Sequence, residues 1–162
     1  MHLIRFLSAS AEETRDFGRK LGRLLGASDV VALRGDLGAG KSVLARGILD
    51  ALGVEGDMPS PSFVIVAAYA TPVPVNHIDL YRIASKAEVL ELGLQDLLYS
   101  DAVCVVEWAD RLEGLLPRSA INVEIRDAAG ENRRIVSITA GDDDVKRRLM
   151  QLATDLVRFP RG

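Results

Sequence analysis

The chain has 162 residues, 48% of them hydrophobic, and a formal net charge of −3; a chain this long buries roughly 70% of its unfolded surface, enough for one ordinary core, so a single domain over 1–162 is expected. With a pI near 5.4 there is no global positive field to gather a polyanion, which disfavours autonomous nucleic-acid binding. The apolar runs fall far short of the roughly 20 residues that span a bilayer, and the opening MHLIRFLSASAEE lacks a signal peptide's apolar region, so a cytoplasmic protein with no membrane partner is predicted.

Ser10 and Glu13 form an S-x-x-E capping box, followed at helical spacing by Phe17, Leu21, Leu24 and Leu25, which predicts a first helix from about Ala11 to Leu25. Val30 to Leu33 is short and apolar throughout, as a parallel strand covered on both faces requires. The loop GDLGAGKS (Gly35–Ser42) comes next, and from Lys41 the pattern Val43, Leu44, Ile48, Leu49, Leu52 predicts a helix closed by Gly53.

Beyond EGDMPSPS, the segments FVIVAAY and VNHIDLY, separated by ATPVP, read as strands. Ser85 and Glu88 make a second capping box before Val89, Leu90 and Leu92, and the amphipathic LQDLLY runs on to a turn at Ser100. AVCVVEW is the strongest strand signal; Cys104 inside it suits core packing in a reducing compartment. INVEIR and RIVSITA alternate apolar with polar around DAAGEN, which predicts an antiparallel hairpin. A closing helix from Asp142 to about Val157 begins with aspartates that favour its positive end and leads into the basic tail KRRLMQLATDLVRFPRG, a solvated helix face by composition.

GDLGAGKS fits G-x-x-x-x-G-K-[ST] at the strand-to-helix junction where that pattern has physical meaning. Glycines at 35, 38 and 40 allow backbone angles that turn successive N–H groups inward onto phosphate oxygens, and the following helix adds its dipole. The phosphate-binding set is Asp36, Leu37, Gly38, Ala39, Gly40, Lys41, Ser42 and Val43, with Lys41 reaching the β- and γ-phosphates and the Ser42 hydroxyl ligating Mg2+. The pattern arises by chance in a chain this long less than about once in a hundred.

Two apolar strands end in acids, Asp79 and Glu107, and the carboxyl edge of a parallel sheet is where the glycine loop also emerges. Glu107 is the better metal-holding acid of Walker-B type, with Asp79 as a second metal-shell or water-orienting group, although strand-ending acids also serve as plain turn residues. The hydroxyls of SPSF, Ser62 among them, stand where a loop of such proteins can sense the γ-phosphate, although the segment equally reads as an ordinary turn before a strand. Trp108 packs near the nucleotide, against a partner or in the core. His77 reads as a satisfied structural residue more often than as an acid or base, and Arg82 as either an arginine finger or a surface ion pair.

Together GDLGAGKS, SPSF, HIDLYR and VVEW, in this order and spacing from about Phe6 to Pro117, resemble the bacterial TsaE (YjeE) family. The resemblance implies an α/β three-layer P-loop NTPase fold with a mostly parallel central sheet and, here, a C-terminal antiparallel hairpin. It further implies ATP/ADP and Mg2+ as ligands and a weak ATPase. That ATPase cycles on and off TsaD and TsaB during threonylcarbamoyladenosine synthesis and meets tRNA only through the complex. It carries catalytic roles to Lys41, Asp79 and Glu107, metal ligation to Ser42 and Glu107, and nucleotide contacts to Ser62 and Trp108. Two departures are serines at 42 and 62, where the family often has threonine; the hydroxyl is kept at both. A small-molecule kinase would share the loop, but no arginine-rich lid is evident. A GTPase would need an absent N-K-x-D signature, and a non-catalytic scaffold would bind nucleotide without turnover.

Overall fold

The computed structural model describes residues 3–36, 38–56 and 65–157. Leu37, Ser62 with the rest of SPSF, the start of the FVIVAAY strand and residues 158–162 of the basic tail lie outside them. Seven strands form one sheet: β1 (Ile4–Ser8), β2 (Val30–Arg34), β3 (Val66–Tyr69), β4 (Val75–Asp79), β5 (Val103–Glu107), β6 (Ile121–Asp127) and β7 (Arg134–Ala140). The helices are α1 (Ala11–Gly22), α2 (Lys41–Ala51), α3 (Lys86–Glu91), α4 (Leu94–Leu98) and α5 (Asp143–Val157), with a single 3-10 turn at Ala109–Leu112.

The spatial order is β1-β7-β6-β2-β5-β4-β3. β6, β2, β5 and β4 are mutually parallel neighbours, and the outer pairs β1–β7, β6–β7 and β3–β4 are antiparallel. The predicted hairpin is present, but its first strand belongs to the parallel centre, directly beside β2.

β2 shows why a continuous apolar run is needed. Val31 and Leu33 enter one core with Phe17 and Leu21 of α1, Leu44 and Ile48 of α2 and Leu149 of α5. Val30 and Ala32 enter the other, with Val89, Leu94, Leu98 and Leu112. Helices thus cover both faces of the centre, as a doubly covered parallel sheet demands. Cys104 is buried in the second core, where its thiol meets the Leu97 carbonyl at 3.1 Å and burial pushes its pKa up to about 11, so it is inert.

α1 begins at the predicted capping box: Ser10 Oγ accepts the Glu13 N–H at 3.1 Å, and Glu13 accepts the Ala9 N–H at 2.6 Å. It ends three residues earlier than its apolar spacing suggests, because Leu24 and Leu25 bond back to Leu21 and Gly22 in tighter three-residue turns. α1 and α2 cross backbone to backbone: a Cβ on Gly47 would stand 2.0 Å from the Arg15 carbonyl, and one on Gly18 2.4 Å from that of Leu44. Asp50 fastens the crossing with Arg15 at 2.8 Å and Arg19 at 3.3 Å of α1, and Arg46 of its own helix steadies it at 2.9 Å. α2 is therefore held rigidly against α1 at the point where the glycine loop hands over to it.

The strand Ile4–Ser8 is not anticipated by the sequence reading. Its five residues alternate too briefly to stand out beside a strong helix cap, and they pair only with β7, far along the chain.

Candidate functional site

The glycine loop leaves the carboxyl end of β2 and returns as α2. Gly38 has φ +79° and Gly40 φ +107°, left-handed values that a side chain resists, and Gly40 forms the α2 N-cap without a side-chain bond. The first N–H groups of an eleven-residue helix thus stay available to an anion. Lys41 is buried; its ammonium donates to the Gly35 carbonyl and, at 2.8 Å, to that of Asp36, and lies 4.0 Å from the Trp108 ring centroid. Burial lowers its pKa, against the pull of Glu107, Asp110, Asp36 and Asp79.

Next to β2, β5 ends at Glu107 in register with Leu33, and β4 ends at Asp79 in register with Glu107. The parallel sheet therefore delivers loop, glutamate and aspartate to one edge. Glu107 is 2% exposed, and both of its oxygens are engaged: Ser42 Oγ donates to Oε1 at 2.9 Å, and His77 Nε2 meets Oε2 at 2.6 Å. Asp79 accepts the Tyr81 N–H at 3.0 Å. Burial pushes its carboxyl above the usual aspartate range, the neighbouring Glu107 adds to the rise, and the Tyr81 N–H opposes both.

Trp108, directly after Glu107, is half-buried with φ +58°, a conformation costly for a bulky side chain. Its ring meets Lys41 and packs against Tyr81 at 5.3 Å, with the Arg111 guanidinium 5.8 Å away. A cavity of about 480 Å³ opens beside the loop, bordered by Gly35, Asp36, Ala39, Trp108, Glu124 and Asp127.

The described loop residues Asp36, Gly38, Ala39, Gly40, Lys41 and Ser42 therefore stand with Asp79, Glu107 and Trp108 around one edge, and Val43 follows in the first turn of α2. Arg82 is exposed. Sequence reading treats His77 as a structural residue, whereas the fold sets it against Glu107; the period-two spacing of His77 and Asp79 along one strand was the available signal. It also predicts the β6–β7 hairpin without giving it a part in the site. Added Cβ atoms on Gly35 and Gly40 would lie 2.5 Å from the Ile125 carbonyl and 3.2 Å from its side chain, and Arg134 reaches the loop carbonyls. No local pattern marks either residue.

A hydroxyl and a carboxylate 2.9 Å apart suit Mg2+, which takes few protein ligands and completes its shell with phosphate oxygens and water. Among the described residues no group of three or more His, Cys, Asp or Glu could form a dedicated metal cage, and none of the helices is long and apolar enough to cross a membrane.

Residues 8–135 match the family model described as threonylcarbamoyl adenosine biosynthesis protein TsaE. The chain is 36% identical over 132 residues to the tRNA threonylcarbamoyladenosine biosynthesis protein TsaE of Treponema pallidum, covering 82% of this chain and 98% of that one. It is 33% identical over 159 residues to the protein of the same name from Bacillus subtilis, covering 98% and 96%. The crystal structure of YdiB from Bacillus subtilis superposes with a TM-score of 0.79 at 27% identity, over 94% of this chain and 95% of that one.

Proposed function

From the premise that the chain belongs to the TsaE family of threonylcarbamoyladenosine biosynthesis proteins, a P-loop NTPase family, we propose that it binds and hydrolyses ATP. We further propose that the nucleotide state governs its association with synthase subunits of the TsaD and TsaB type in the cytoplasm, the tRNA being held by the complex. The observation carrying this reading is the Ser42–Glu107 contact at 2.9 Å, which ties the glycine loop to a strand-ending carboxylate.

In this reading the loop amides and the positive end of α2 take the phosphate oxygens, and Lys41 neutralises charge gathering on the γ-phosphoryl group as it passes to water. Ser42 and Glu107 would hold Mg2+, which when bound draws charge from the phosphate oxygens. His77 keeps the Glu107 carboxylate turned toward Ser42. Asp79, one strand over, orients the attacking water, and the cavity beside the loop receives the nucleoside. Ser62 and Leu37 join the nucleotide-binding set. Hydrolysis is slow in the isolated chain, and a partner accelerates it.

Lys41→Ala and Glu107→Ala, each supplied with the partner subunits and tRNA, test the reading. Multiple-turnover threonylcarbamoyladenosine formation and phosphate release are both expected to collapse. Undiminished turnover in both variants refutes it.

A further inference from the structure

Gly38 and Gly40 flank two peptide units, 38–39 and 39–40, whose orientation the glycine torsions themselves do little to fix. Both glycines have left-handed φ values, and a Cβ on Gly38 would meet nothing within 4 Å. Each unit joins Ala39 to one of these glycines, whose permissive ψ (Gly38) or φ (Gly40) lets the peptide plane turn over more readily, exchanging the directions of its C=O and N–H. An anion site made of amides works only if such planes stay put.

The carbonyls of these two units are both taken by one side chain. Arg134, the first residue of β7, donates from Nε to the Ala39 carbonyl at 2.9 Å and from Nη2 to the Gly38 carbonyl at 3.4 Å. Asp127, across the β6–β7 hairpin, lies 3.2 Å from the same Nε, so the guanidinium is itself anchored. In a trans peptide the N–H points opposite to the C=O. A cation fixing the Ala39 carbonyl on the β7 side therefore turns the Gly40 N–H the other way, away from β7. The Ala39 N–H is spoken for locally, donating to the Asp36 carbonyl at 3.0 Å, which leaves the Gly40 amide as the one most dependent on this anchor. A planar guanidinium presents several donors in a fixed fork and spans adjacent carbonyls as an ammonium does not.

We propose that Arg134 is a positioning residue for phosphate binding: it locks the peptide units between Gly38 and Gly40 so that the Gly40 amide faces the anion. The hairpin thereby acts as part of the nucleotide site without touching the reacting atoms. The inference rests on reading the loop as a phosphate site, but its test is separable.

The full chain labelled with ¹⁵N-glycine, as wild type, Arg134→Gln and Arg134→Lys, is compared by amide spectra without nucleotide and by calorimetry with MgATP. Arg133→Ala, an exposed neighbour, serves as control. In Arg134→Gln the Gly38 and Gly40 signals are expected to shift or broaden while those of Gly18, Gly22 and Gly47 in the helix crossing stay in place. ATP affinity should fall about tenfold, the scale of one lost charge-assisted bond. Arg134→Lys should fall between the two, with the same glycine signals moving less, and it carries the test alone if the glutamine variant does not fold. Unmoved Gly38 and Gly40 signals, or affinity within twofold of wild type, overturn the proposal. A wild type that binds no ATP would sink the proposed function, yet the glycine spectrum would still decide the role of Arg134.

Discussion

Asp79 and Glu107 close neighbouring parallel strands in direct register, so two carboxylates end side by side at the edge where the glycine loop emerges. Burial and the adjacent Glu107 both raise the Asp79 pKa. An acid whose pKa is higher in the folded state than in the unfolded one weakens the fold as pH rises through that interval, since the folded form must give up a proton it prefers to keep.

Asp79→Asn should therefore melt higher than wild type at pH 7, by about 2 °C, and its amide oxygen can still accept the Tyr81 N–H. The advantage should shrink as pH falls through the raised Asp79 pKa and vanish below the ordinary aspartate range. Phosphate release should drop at the same time. Melting curves across pH check the sign, and a variant less stable than wild type at pH 7 would contradict the assignment of strain to this pair.

Lys41→Met keeps an apolar stem beside Trp108 while removing a buried ammonium whose pKa burial lowers. ATP affinity is expected to fall at least about tenfold with no loss in melting temperature. Calorimetry and thermal melts on one preparation separate the two effects. A matched fall in both would mean that the lysine holds the loop together instead of binding a ligand.

Removing His77 leaves one oxygen of a buried glutamate without its partner at 2.6 Å. His77→Ala should cost about tenfold in Mg2+-dependent phosphate release, the scale of an unmet buried bond, whereas His77→Gln, able to donate to the same oxygen, should retain most of it. Equal losses in the two variants would deny the orienting role.

Gly47→Ala forces a methyl to within 2.0 Å of the Arg15 carbonyl. Neither backbone can yield without separating α1 from α2, so a loss of about 3 kcal/mol is expected, seen as a fall of roughly 6–12 °C in the melting midpoint. A change under about 2 °C would show that the crossing has slack.

Much of this arrangement is legible in the amino-acid sequence, for physical reasons that differ by element. The β2–loop–α2 unit is local: an apolar run, glycines and a helical period occupy consecutive residues, so pattern alone places Lys41 and Ser42. Asp79 and Glu107 are placed at strand ends by composition, but that they adjoin follows from strand order, which no local signal carries. The Ser42–Glu107 and His77–Glu107 contacts span 65 and 30 positions, and Arg134 reaches Ala39 across 95. Such contacts are fixed by the pairing of β2 with β5 and β6 and of β4 with β5, and they remain hidden until the sheet is known. β1 was missed for the same reason: its partner strand lies near the other end of the chain.

That last pairing has a consequence for how the molecule comes into being. β1 precedes the other six described strands, yet its one neighbour, β7, is the last of them in chain order, and β6 must also arrive before β2 gains its second flank. A nascent chain that has passed β5 but not β6 leaves one edge of β2 open and β1 unpaired, so the sheet closes only once the β6–β7 hairpin has been made. Connections this distant slow assembly and leave bare edges in the meantime. Shortening the chain from its C-terminal side into β7 should therefore strip the N-terminal strand as well.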